Sequence, residues 1–263
     1  MEKINVYGLD GKKKGLIEKP EIFNFKPRKD IIQKAIEVLQ SKKIQIQGRD
    51  KRAGLRNTAE SWGTGHGMSR APRLKGSGYT TSRNVGRVPF AKGGRSTHPI
   101  KTEKNRLKRI NKKTRQISII SAISASGNAT WVEKRGHKIQ NIPEIPLVVD
   151  DKIQTIKKTE QFFSVLNALG FNDELLRVKN NKKVRAGKGK RRGRKYKRRK
   201  GILIIIKDDY GIVKSSRNIP GTEIINIDTL SIDKLAPGGM PGRLIVWTQS
   251  AFNELNNKFE AVI

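Results

Sequence analysis

Ile202-Leu203-Ile204-Ile205-Ile206 is the stretch on which the fold turns. Five consecutive aliphatic residues leave no polar face, so a strand here must be covered on both sides. Working outward, residues 223–227 and 244–247 are two more short apolar runs, and helical segments are expected near 231–235 and 249–256. Upstream, Leu147-Val148-Val149 follows Pro146 and ends in Asp150-Asp151, the pattern of a buried strand bounded by turn formers. Residues 156–169 form an amphipathic pattern closed by Gly170 as a C-cap. Residues 4–9 and 15–18 read as short extended segments around a Gly-Lys turn. Beyond Pro27, Ile31, Ile32, Ala35, Ile36, Val38 and Leu39 make a helical stripe through about Ser41. Apolar strands alternating with helices indicate an α/β fold, a three-layer sandwich with a mainly parallel sheet. No internal repeat is visible.

Residues 49–96 do not fit that pattern. They carry 11 Lys or Arg, 2 acids and 9 Gly, too few apolar groups to offset the entropy of ordering the segment alone. A structureless loop of this length is uncommon in a compact domain unless it is functional. Trp62, Tyr79 and Phe90 stand among its cations, and flat rings beside positive charge suit bases and phosphates. The expected organisation is a globular α/β domain of residues 1–48 and 97–263 with a long non-globular basic loop at 49–96. The loop is expected to be ordered by a polyanion.

Two further cationic blocks flank core elements. Residues 101–115 hold 8 Lys or Arg and run into Ile117, Ile119, Ile120, Ala122 and Ile123, as in a helix with a wet first half and a buried second half. Residues 177–200, a basic insertion, hold 15 Lys or Arg and no acid, and lead directly into the 202–206 strand. The formal net charge is +34 and the pI about 10.7. Charge of that size repels itself in a compact state, and a nucleic-acid partner is the usual means of neutralising it. No basic helix with a strong apolar face speaks for a membrane surface. No Cys is present, which excludes disulfides and Cys-based zinc or nucleophile chemistry. No apolar signal core or spanning run occurs, so a cytosolic protein is expected.

Candidate chemistry is sparse. Gly63-Thr64-Gly65-His66-Gly67 and Gly76-Ser77-Gly78 resemble phosphate-binding turns, but Met68 breaks the dinucleotide fingerprint and no GxxxxGK[ST] occurs. The expectation is that these glycines bring backbone close to RNA or take φ > 0. Asp150, Asp151, Asp208 and Asp209 lie at the carboxyl ends of expected strands, where carboxylates could bind Mg²⁺ for phosphodiester chemistry or simply cap turns and helices. His66, His98 and His137 have no metal spacing. No cofactor and no metal are expected. An Mg²⁺-dependent nuclease or RNA-modifying enzyme, and a chromosomal or RNA-chaperone binder, are the alternatives to a structural RNA-binding protein.

Ala59-Glu60-Ser61-Trp62-Gly63-Thr64-Gly65, then Arg70-x-Pro72-Arg73 and Gly76-Ser77-Gly78, resembles the extended loop of the universal L-four family of large-subunit ribosomal proteins. Gly93-Gly94-Arg95 resembles that loop's return limb, and Arg185-Ala186-Gly187-Lys188-Gly189-Lys190 a basic segment of its archaeal and eukaryotic members. The chain lacks the long C-terminal extension of eukaryotic members, so the archaeal type fits best. The resemblance implies a non-enzymatic constituent of the cytoplasmic large subunit that binds its rRNA, supports assembly and lines the peptide exit tunnel. Its partners would be rRNA, neighbouring ribosomal proteins and the nascent peptide; no membrane and no second copy of the chain are expected. The rRNA-binding residues would be, in the loop, Arg49, Lys51, Arg52, Arg56, Trp62, Arg70, Arg73, Lys75, Tyr79, Arg83, Arg87, Phe90, Lys92 and Arg95. After the loop they would be Lys104, Arg106, Lys108 and Arg109. In the insertion they would be Lys182, Lys183, Arg185, Lys188, Lys190, Arg191, Arg192, Arg194, Lys195, Tyr196, Lys197, Arg198, Arg199 and Lys200. The tunnel-facing tip would be Gly63, Thr64, Gly65, His66, Gly67, Met68 and Arg70. Where many relatives have Arg or Lys, this chain has His66, which leaves cationic charge there to Arg70 and Arg73.

Overall fold

The structure is a computed structural model that describes residues 2–259. Contacts divide the chain into two units, one running to Gln40 and resuming at Lys108, the other spanning Ser41–Leu107.

The first unit is built on a six-stranded sheet. Its strands are β1 (Lys3–Tyr7), β2 (Lys13–Glu18), β3 (Leu147–Val149), β6 (Leu203–Ile206), β7 (Glu223–Asn226) and β8 (Ile245–Thr248), with β4 (Lys183–Val184) and β5 (Tyr196–Lys197) forming a separate ladder. The spatial order is β2-β1-β3-β8-β6-β7. Every pairing is parallel except β1 with β2, an antiparallel hairpin at one edge. The mainly parallel α/β architecture expected from the strand patterns is therefore what forms.

The 202–206 run lies near the middle, with Ile204 opposite Val246 on one side and Ile224 on the other. Its side chains alternate between two cores. Leu203 and Ile205 join Ile4, Val6, Val148, Ile245 and Trp247 against α1 (Lys29–Lys43), α2 (Lys112–Ser126), α7 (Ile232–Leu235) and α8 (Gln249–Phe259). Ile204 and Ile206 join Tyr7, Leu147, Val149 and Val246 against α4 (Thr159–Ala168), α5 (Asn172–Asn180) and α6 (Ile212–Ser216). This two-sided burial explains why the strand has no polar face. Each such aliphatic side chain contributes about 1.5–3 kcal/mol.

In α1, Ile31, Ile32, Ala35 and Ile36 are buried, while Asp30 in the first turn and Lys42 and Lys43 in the last complement the helix dipole. Gly170 follows α4 with φ +85°, the left-handed residue expected just past a helix end. α2 differs from expectation at its start. Residues 101–111 are irregular, because the cations there have no apolar stripe to bury, and the helix begins only at Lys112. From Ser118 to Ser126 it is buried all round. Ser118 and Ser126 donate to the carbonyls of Arg115 and Ile123 at 2.6 Å, and Ser124 donates to Phe25 O, so these buried hydroxyls are satisfied. The short α3 (Ala129–Lys134), α5 and α6 were not expected from the sequence.

The second unit has almost no core. Between α1 and α2 there is no helix and no regular strand, only isolated bridges of Arg73 with Glu60 and with Val85. Within residues 44–107 only Ala59 and Gly86 are buried. No helix among the described residues is long and apolar enough to cross a membrane.

Candidate nucleic-acid interface

The loop is held by its backbone and by a few of its own cations. Arg73 and Glu60 exchange backbone hydrogen bonds at 3.0 Å, and the N–H of Leu74 reaches Asn84 O at 2.9 Å. Arg73 donates from Nη1 to Arg83 O and from Nη2 to Ser69 Oγ, both at 3.1 Å. Arg87 donates to Asn57 O at 2.8 Å and to Asn57 Oδ1 at 3.2 Å. Arg83 and Arg87 themselves take left-handed φ values of 61° and 62°, uncommon outside glycine. Two expected phosphate ligands, Arg73 and Arg87, are thus occupied in shaping the loop. Three others face acids: Arg56 pairs with Asp50 at 2.7 Å, Lys51 lies 3.8 Å from Glu103, and Lys75 pairs with Glu60. By contrast the side chains of Arg49, Arg52, Arg70, Arg83, Lys92 and Arg95 make no hydrogen bond or ion pair with any described residue.

The aromatic residues divide similarly. Trp62 meets His66 edge-on with ring centroids 5.6 Å apart, so an expected rRNA-binding aromatic contacts a residue of the tip. The Tyr79 hydroxyl donates to Lys75 O and its ring covers Gly76. Phe90 is 81% exposed. At the tip, Gly63, Gly65 and Gly67 have φ of 76°, 90° and 64°, with open space where a Cβ would stand. After the loop, Lys104 and Arg106 line a cavity of about 470 Å³ with His98 and Glu103, while Lys108 pairs with Glu37 at 2.7 Å.

The insertion folds back on itself. β4 and β5 pair antiparallel, the N–H of Arg185 donates to Lys195 O at 2.8 Å, and Arg185 Nε donates to Arg194 O at 3.1 Å. Lys182 Nζ lies 4.4 Å from the centroid of Tyr196. All residues from Arg191 to Lys200 are exposed. Like charge so close is costly without counterions.

The insertion leaves the sheet at the amino ends of the parallel strands, where Lys200 precedes β6. There Glu223 accepts from Lys200 and from the buried Arg243 at 2.7 Å, and the Lys234 ammonium lies 3.3 Å away. Burial works to raise the Glu223 pKa, yet Lys200 and Arg243 hold it down to about 2. Beside it, Arg177 grips Glu174 through Nε at 2.7 Å and Nη2 at 2.5 Å, and Glu174 meets His137 Nδ1 at 2.6 Å. Burial pushes the Glu174 pKa up, but hydrogen bonds from Arg177 and His137 bring it below the ordinary carboxylate range. Arg135, His137, Arg177 and Arg243 were absent from the expected site. Arg135, His137 and Arg177 meet only through tertiary folding.

Three of the acids at the carboxyl ends hold local backbone and side chains. Asp150 pairs with Lys14 and accepts from the N–H of Lys152; Asp151 accepts from Ser250 N at 3.0 Å and Oγ at 2.7 Å; Asp209 accepts from Gly211 N at 2.9 Å.

An α/β domain that extends two cation-rich, core-poor segments defines the class. The chain belongs to the Ribosomal protein L4/L1 family, whose model matches residues 17–258. It is 41% identical over 260 residues to the large ribosomal subunit protein uL4 of Methanosphaera stadtmanae, covering 99% of this chain and 98% of that protein. The proteins of the same name from Methanococcoides burtonii and Methanococcus maripaludis are 41% and 42% identical over 259 and 257 residues. They cover 98% and 97% of this chain, and 100% and 99% of their own lengths. The family and its archaeal type agree with the resemblance read from the loop motifs.

Proposed function

We propose that this chain is a structural, non-catalytic constituent of the large ribosomal subunit. It binds large-subunit rRNA through the loop at 49–96 and the insertion at 177–200, and its tip at 63–70 lines the passage of the nascent peptide. The observation that carries this reading is the loop itself: across residues 44–107 only two residues are buried, while within 49–96 six Lys and Arg side chains have no partner among the described residues. Such a segment gains its ordering free energy from an external polyanion, and RNA supplies phosphates together with unpaired bases for Phe90 and Trp62. The names of the archaeal relatives support the same assembly.

The test is sedimentation of a cell extract of the source organism through a sucrose gradient at low salt, with the native protein detected immunologically. Co-migration with the large subunit, stoichiometric with one particle, is expected. Protein found mainly free or on DNA would overturn the reading.

A further inference from the structure

At the root of the insertion lies a cavity of about 400 Å³, seven of whose ten lining residues are Lys or Arg and none of which is acidic. It is walled by Arg135 after α3, by His137, by Arg177 on α5, and by Arg198, Arg199 and Lys200 on the limb entering β6. We propose that this cavity binds a backbone phosphate of RNA, and so docks the limb of the insertion against the α/β domain. The inference rests on the RNA-binding reading above and adds Arg135, His137 and Arg177, none of them assigned from the sequence, to the limb of the insertion that was.

Three observations carry it. First, the two guanidinium groups from the α/β domain, Arg135 and Arg177, are fixed before any ligand arrives. Arg135 donates from Nη2 to Pro237 O at 3.0 Å and from Nη1 to Met240 O, and Arg177 is braced by Glu174 and by Lys200 O at 3.2 Å. Fixed guanidinium groups lose little entropy on gripping an anion. Second, the charge of Arg135 is uncompensated, while Arg177 and Lys200 each have one acidic partner. Arg135 has no acidic partner among the described residues, and burial, then the neighbouring Arg243 and Arg177, lowers its pKa to about 10. An anion in the cavity would relieve that mutual repulsion. Third, His137 is 6% exposed, its Nδ1 is engaged by Glu174, and its Nε2 is buried with no hydrogen-bond partner. A buried polar atom without a partner is rare in proteins. Here it belongs to a residue that lines the cavity; with Nδ1–H given to Glu174, Nε2 is an acceptor, so it suits a ribose hydroxyl beside the bound phosphate rather than the phosphate oxygens themselves.

RNA is favoured over a free anion because the wall continues into the exposed Arg191–Lys200 strand of cations, which suits a phosphate in a chain rather than an isolated one.

The test uses the full chain with ¹³C-labelled histidine. The His137 ring resonance is assigned by His66→Gln and His98→Gln, which alter exposed positions. It is followed during titration with a uridine hexanucleotide and, in parallel, with inorganic phosphate. Binding of the hexanucleotide is measured separately by fluorescence anisotropy. The expected result is a saturable shift of His137 with the RNA, whose midpoint rises at least roughly tenfold in the double variant Arg198→Gln/Arg199→Gln. Both arginines are exposed, so this variant keeps the fold. If the hexanucleotide binds by anisotropy while His137 stays unmoved, the cavity proposal is overturned and RNA binding by the chain stands. Movement of His137 with phosphate but not with RNA makes this a free-anion site and also overturns it. Absence of RNA binding by either measurement overturns both readings.

Discussion

Arg243 Nη1 lies 2.7 Å from Glu223 Oε2 at the amino ends of the parallel strands, with Arg243 fully buried. The same guanidinium donates to Gly201 O at 3.0 Å and to Lys234 O at 2.8 Å, and the same carboxylate takes Lys200. One acid therefore satisfies a buried cation and ties down the base of the insertion. Removing the acid would leave Arg243 buried without its counter-charge, the more costly way to break such a pair.

Acid unfolding should expose this pair. Glu223 has its pKa lowered from an ordinary 4.5 to about 2, so its stabilising contribution is complete above pH 4.5 and is lost as pH falls toward 2. The contribution is on the order of 3 kcal/mol. Urea unfolding of wild type and Glu223→Gln should show a gap that is widest near pH 5.5 and closes toward pH 2.5. A gap that stays constant across that range would contradict the assignment.

Close backbone contact at the loop's base makes a second prediction. A Cβ on Gly94 would meet Val88 O at 1.9 Å, and one on Gly54, at φ +82°, would meet Gly94 C at 2.4 Å. These obstacles are backbone and cannot swing away. Gly65 has open space around it, so alanine there meets only the left-handed φ penalty of about 1–2 kcal/mol. In cells whose only copy is the variant, Gly94→Ala should leave the protein largely outside assembled subunits, while Gly65→Ala should incorporate nearly normally. Equal incorporation of the two would count against this role for the base.

The central strands were legible because residues 202–206 and 147–149 are apolar without interruption, a pattern only a two-sided core explains; of the covering helices, α1, α4, α7 and α8 were legible as well. Strand order was not legible, since β3 could neighbour any strand until the pairing Leu147 with Val246 is seen. α5 was hidden because Asp173, Glu174, Arg177 and Lys179 surround Leu175 and Val178, so its apolar stripe is short. Arg243, between Gly242 and Leu244, looks like a turn residue; its burial follows from carbonyls supplied by distant chain. The loop's cations were all visible, but their division was not. Nothing local to Arg73 or Arg87 says that they hold Arg83 and Asn57 rather than phosphate.

Salt dependence separates contact from mere charge. Each neutralised phosphate adds roughly 0.7–0.9 to the slope of log K against log salt. Changing Arg191, Arg192, Arg198 and Arg199 together to Gln should flatten the slope for large-subunit rRNA by up to about 3, with little effect on stability, because all four are exposed. An unchanged slope would mean that the insertion does not touch the RNA backbone.

The tip should act on the nascent chain rather than on assembly. From Gly63 to Met68 it carries no Lys, Arg, Asp or Glu, although the limbs on either side are basic. A surface that passes a moving peptide must not hold phosphate, and three glycines with open space around them keep it thin. Trp62 meets His66 edge-on, Ser61 Oγ donates to Arg70 O at 3.0 Å across the base of the tip, and Met68 is exposed. Changes confined to His66 and Met68 should therefore alter arrest at particular stalling peptides, or macrolide sensitivity, in subunits that assemble normally. Changes at Arg73, which pins Arg83 O and Ser69, should instead impair assembly. The decisive measurement pairs ribosome profiling with gradient sedimentation on strains carrying His66→Ala/Met68→Ala or Arg73→Gln. A cross-linker placed at position 66 should also capture nascent peptide. Fully assembled ribosomes lacking residues 63–68 that stall and respond to drug as wild type does would sink the assignment of the tip.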